Sequence, residues 1–91
     1  MSISIKKLTG DVFQVTVADS MTTTHEVTVN DQSLTDLTDD KVTKEQLLKF
    51  SFNFLLDREP NTSILSSFNI NVISRYFSDY KDEVRRWCNA G

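Results

Sequence analysis

Glycine, cysteine, histidine and proline are nearly missing from this 91-residue chain, which holds two glycines, one cysteine, one histidine and one proline. With glycine only at Gly10 and Gly91, neither a phosphate-cradling P-loop nor a dinucleotide-binding glycine fingerprint can be written. Both motifs need several glycines so that the backbone can approach a phosphate closely. Cys88 has no intramolecular disulfide partner, and with His25 it falls short of the Cys and His set of a zinc site. The dearth of glycine and proline also argues against long disordered tracts. No segment approaches the roughly 18 to 20 consecutive apolar residues that cross a bilayer. The start, MSISIKKLTG, lacks the apolar core of a signal peptide. The expected compartment is the cytoplasm, which suits a lone thiol, and no cofactor, metal or membrane partner is expected.

Charge of one sign is also scarce in the first part of the chain. Residues 1 to 40 carry Lys6 and Lys7 against seven carboxylates, a net −5, while residues 41 to 91 carry eight cations against six carboxylates, a net +2, which together make −3. An acidic chain is poorly suited to nucleic-acid binding, whose affinity rests on neutralising several phosphates at once. The asymmetry can instead orient two copies, or a partner, head to tail.

What the chain has is strand pattern followed by helix pattern. Ile3 and Ile5, then Phe13, Val15 and Val17, then His25, Val27 and Val29 alternate with polar residues, the period of strands with one buried face. Thr9-Gly10-Asp11 and Asp19-Ser20-Met21-Thr22 supply turns. An antiparallel three-stranded meander is predicted, too small to be stable without a cover. A connector over residues 31 to 42 contains Leu34 and Leu37 and reads as one helical turn. Thr43 and Gln46 match a capping box for a helix running to about Arg58, where Pro60 disfavours helical geometry at Glu59. Phe50, Phe52 and Leu56 widen its apolar face, which predicts burial on more than one side. Ile64, Leu65 and Phe68 read as a helical turn, and Ile70, Ile73 and Phe77 as a second segment. Ser78 can cap a last helix in which Tyr80, Val84 and Trp87 share a face. The sum is one α+β domain over 1-91, strand-rich over 1-30 and helical over 43-89, with a meander packed against about three C-terminal helices.

Within this helical part, Phe52-Asn53-Phe54-Leu55-Leu56-Asp57-Arg58-Glu59-Pro60, Ser63-Ile64-Leu65 and Val72-Ile73-Ser74-Arg75-Tyr76-Phe77 resemble a family of small prokaryotic proteins with no assigned function. The likeness is most specific over residues 50 to 80. It implies a similar layout, with a strand-rich first part, and implies no activity.

Candidate sites are few. Arg58, between Asp57 and Glu59, can either hold the helix-terminal carbonyls and a carboxylate, or join Arg75 and Tyr76 in a patch for an acidic partner or small anion. The last helix carries Lys81, Arg85 and Arg86 with Tyr80 and Trp87, the interleaving of cations and aromatics that binds single-stranded nucleic acid. Its acids near the start and bases near the end also suit the helix dipole. Cys88 and His25 form a nucleophile pair only by count. Asp31, Asp36, Asp39 and Asp40 make no EF-hand pattern. The reading this favours is a non-catalytic interaction or assembly module, binding a protein partner or a second copy of itself. Nucleic-acid binding by the last helix is the alternative, and a small ligand-binding protein or enzyme around Asp57, Arg58 and Arg75 the third.

Overall fold

The computed structural model describes residues 2–90. Three strands, β1 (Ser2–Thr9), β2 (Val12–Ala18) and β3 (Thr22–Thr28), form the expected antiparallel meander. Its register puts Ile3 opposite Val17, Ile5 opposite Val15, Phe13 opposite Val27 and Val15 opposite His25, so one face is apolar. The other face carries Ser4, Thr16 and Thr24 in one row. Gly10, with φ of +51, makes the tight β1–β2 turn, a left-handed position where a side chain costs strain.

A fourth strand, β4 (Ser67–Asn69), pairs in parallel with β3, giving the order β1-β2-β3-β4. This corrects the helical turn expected around Phe68. Its ring belongs opposite Val27 on the core side, and the Glu26 amide donates to the Ser66 carbonyl at 2.8 Å. An unpaired edge of β3 overrides a weak local helical tendency. A 3-10 turn forms earlier, over Asn61–Ser63.

Helix α1 (Asp31–Thr38) is twice the single turn expected of the connector. Asn30 starts it by accepting from the Ser33 amide, and Asp39 ends it in a left-handed conformation, φ 53. Helix α2 (Lys44–Leu56) has the predicted capping box, with Thr43 and Gln46 reciprocally bonded. It ends at Leu56, two residues before Arg58, where the amides of Arg58 and Glu59 both turn back to the Leu55 carbonyl. A 3-10 turn over Ile70–Val72 leads into the short α3 (Ile73–Tyr76). Helix α4 (Tyr80–Ala90) begins beyond Ser78, after Asp79 rather than at the expected cap.

Helix α2 lies at the centre. Phe52 faces the sheet against the rings of His25 and Phe68, while Phe54 meets Tyr80 and Phe77 on the side of α3 and α4. That explains its wide apolar circumference. Ser51, fully buried, donates to the Leu47 carbonyl at 2.7 Å, so the Tyr80 hydroxyl, 2.6 Å away, is the donor between them. One core holds the molecule together, and the radius of gyration, 12.3 Å, is that of a single packed unit, for which roughly 12 Å is expected at this length. Among the described residues no helix is long and apolar enough to cross a membrane.

Candidate functional site

Burial of one side of each surrounding helix throws their cations together on the other. In α4, Tyr80 and Val84 are fully buried, which turns Lys81 and Arg85, four residues apart, to one outer face. In α3, Ile73 is buried and Arg75 is exposed. Helix α1 packs on α4 through its buried Leu37. Between the three helices lies a cavity of about 510 Å³, with Arg75, Lys81 and Arg85 on its walls beside Ser74, Asn71, Asp36 and Leu37.

Second-order bonds hold this groove in shape. Asn71 donates from its side chain to Ser33 Oγ of α1 at 2.9 Å, and Ser74 donates to the Asn71 carbonyl at 2.9 Å. Asp36, the one acid on the wall, accepts from Gln32 at 2.9 Å. Among the described residues none of Arg75, Lys81 and Arg85 forms an ion pair, whereas Lys44, Arg58 and Arg86 all do. The groove therefore presents three cations, two guanidinium forks and one ammonium, against the single carboxylate of Asp36, a positive excess suited to carboxylates or phosphates.

The other residues singled out in the sequence fall elsewhere. Arg58 donates to the Phe54 carbonyl at 3.0 Å and to Asp79 at 2.8 Å, and its guanidinium lies 3.6 Å from the Phe54 ring centroid. It closes the end of α2 and ties it to the start of α4. It lines a different cavity from Arg75, so Asp57, Arg58 and Arg75 do not converge. Asp57 is the exposed C-cap of α2, and Glu59 is half-buried. Tyr76 is 70% exposed next to Arg75. Tyr80 is fully buried and offers no face to a base, while Trp87, half-buried, has one face covered by Phe50 with centroids 4.5 Å apart. Arg86 pairs with Glu83 at 3.0 Å.

His25 and Cys88 share no partner. His25 is buried, and its Nδ1 donates to the Leu65 carbonyl at 2.7 Å. In the neutral ring with that tautomer, Nε2 accepts from Thr23 at 2.8 Å. Thr23 in turn accepts from Asn61, whose amide also donates to the Met21 carbonyl at 2.8 Å. Cys88 is half-buried, and burial pushes its thiol pKa up, which lowers its reactivity. Among the described residues no cluster of His, Cys, Asp or Glu could hold a metal ion. Asp11 and Asp31 instead share Lys44, at 2.9 and 2.7 Å, an arrangement that lowers the Asp31 pKa and raises that of Lys44, in both cases chiefly through the hydrogen bond between them.

The sequence signals part of this site. Lys81 and Arg85 are legible as an i, i+4 pair, and Arg75 as an isolated cation, but their meeting depends on how α3 and α4 turn about Phe77. Asn61 has no local sign, since it stands in the polar run Asp57-Arg58-Glu59-Pro60-Asn61-Thr62-Ser63 and only the distant hairpin buries it. No protein-family model, curated protein or solved structure matches this chain.

Proposed function

We propose that this protein is a non-catalytic interaction module that docks an acidic peptide segment of a partner protein in the groove between α1, α3 and α4. The observation that supports this reading is the convergence of Arg75, Lys81 and Arg85, without ion pairs of their own, around one cavity of about 510 Å³. The exposed ring of Tyr76 beside Arg75 adds an apolar contact of the kind found at protein interfaces. A short acidic segment is favoured over a nucleic acid for two reasons. The chain as a whole carries −3, which repels a long polyanion, and of the two aromatics of α4 Tyr80 is in the core and Trp87 is stacked on Phe50. We place the protein in the cytoplasm, a reading supported by its single half-buried thiol.

The test is fluorescence-anisotropy titration with labelled hexaglutamate and with labelled single-stranded oligothymidylate. Hexaglutamate should bind wild-type protein, and Arg75→Ala with Lys81→Ala and Arg85→Ala should weaken it by about tenfold or more, each lost contact costing about 0.5 to 1.5 kcal/mol. Arg86→Ala, on the same helix and outside the groove, should bind as wild type. Equal binding by the triple variant and Arg86→Ala removes the groove reading, and tighter binding of the oligonucleotide than of the peptide moves it to nucleic acid.

A further inference from the structure

The two edges of the sheet are unequal. β4 is three residues long, and a strand so short leaves little backbone to pair, whereas β1 is eight residues long with no neighbour on its outer side. β1 is also incompletely covered. Ile3 and Ile5 point to the core side yet are only half-buried, while Phe13, Val15 and Val17 of the next strand are at most 1% exposed. The irregularity between Lys7 and Thr9 ends the regular stretch of β1, so the part open to pairing is Ser2 to Lys6.

We infer that two copies of this chain join through β1, antiparallel, about a two-fold axis passing at Ser4. The charge pattern selects this arrangement. Residues 2 to 5 are uncharged and both lysines follow them. Parallel in-register pairing would set Lys6 beside Lys6 and Lys7 beside Lys7, like charges directly opposed. Antiparallel pairing centred on Ser4 sets each Lys6 opposite Ser2 of the second copy, with the lysines at opposite ends of the ladder. It also sets Ile3 opposite Ile5 twice, on the core side, and covers the two half-buried side chains. Ser4 meets its own counterpart on the outer, solvated face. The contact is isologous, and it extends the four-stranded sheet to eight strands. A ladder of about five residues buries less than a standard interface, so the dimer is weak and exchanges rapidly.

Sedimentation equilibrium at protein concentrations up to roughly 500 μM, a range suited to a small interface, tests this. Wild type should pass from about 10 kDa to twice that mass as concentration rises. Ser4→Arg puts two cations face to face at the axis. Because Ser4 is exposed on the polar face, the variant should keep the wild-type fold by circular dichroism and remain monomeric. Ser4→Cys in a Cys88→Ser background should form an intermolecular disulfide on mild oxidation, since directly opposed residues of an antiparallel pair are within bonding reach. A wild type that stays monomeric over this range, a dimer unaffected by Ser4→Arg, or a Ser4→Cys variant that does not cross-link, each overturns the inference.

Discussion

Single residues carry much of the specificity of this fold, and Tyr80 is the clearest case. Its ring is fully buried against Phe54 and its hydroxyl donates to Ser51, whose own proton is committed to Leu47. Burial pushes the phenol pKa above its ordinary value of 10.0, because the phenolate would lose its solvation. In the unfolded chain the phenol titrates near its ordinary value, about 10. Below that pH both states keep the proton and stability is independent of this group. Above it the unfolded chain releases the proton while the folded one holds it, so the unfolded state gains and stability falls by about 1.4 kcal/mol per pH unit until the folded group also titrates. Tyr80→Phe should cost about 1 kcal/mol at pH 8, from the lost hydrogen bond, and flatten the decline between pH 10 and 11.5. Urea midpoints for both proteins across that range check it, and parallel declines would refute the assignment. This role was half visible in the sequence. The spacing of Tyr80, Val84 and Trp87 marked a core face, while a Tyr beside Lys81 and Arg85 also fitted the alternative of a nucleic-acid-binding surface. Its burial against Phe54 and its bond to Ser51 decide between them.

Elements were legible where their signal is local. The capping box of Thr43 and Gln46, the alternation of Phe13, Val15 and Val17, and the turn at Gly10 each lie within a few residues, and each forms as its chemistry dictates. Elements that depend on a distant partner were not. β4 exists because β3 offers a free edge, and Ser67–Asn69 carries no alternation long enough to announce it. α1 gains its second turn from an Asn30 cap, which is local, and from packing on α4, which a stretch with so few apolar residues does not display. The same dependence at a distance appears in the 3-10 turn at Asn61–Ser63, which is fastened to the β2–β3 hairpin by one side chain. Asn61 is 4% exposed and donates to Met21 and Thr23, nearly forty residues earlier in the chain. Asn61→Ala removes the amide's bonds to the Met21 carbonyl and to Thr23 Oγ1, leaving that carbonyl only the 3.3 Å bond from the Asp19 amide, and should lower stability by about 2 kcal/mol. Asn61→Asp should lower it further, because a carboxylate would face the Met21 carbonyl where the amide donates. Urea denaturation of both variants, with hydrogen exchange at Met21 to His25, reads the effect. An Asp variant as stable as the Ala variant would mean that the amide's hydrogen bonds do not hold the hairpin.

At the scale of the whole molecule, two surfaces remain open and they do not compete. All helices lie on one side of the sheet, so the basic groove of Arg75, Lys81 and Arg85 belongs to the helical layer and β1 to an edge of the sheet. The cations of the groove come from the half of the chain that carries +2, and the half that carries −5 holds β1, β2, β3 and α1. A dimer joined at β1 carries two grooves, which makes it a bivalent receptor for a ligand with two acidic segments. Once one segment is bound, the second faces an effective concentration on the millimolar scale if its linker can span the two grooves. The predicted result is that two hexaglutamate segments on a long flexible glycine and serine linker bind wild type at least about tenfold more tightly than one segment does. Ser4→Arg, which leaves the groove untouched, should bind the single segment as wild type does and lose the gain from the second. Anisotropy titrations of both peptides against both proteins, at concentrations where the wild type is dimeric, separate the two surfaces. A gain that survives Ser4→Arg would place the second site within one chain, and loss of single-segment binding in that variant would mean that edge and groove are coupled through the core.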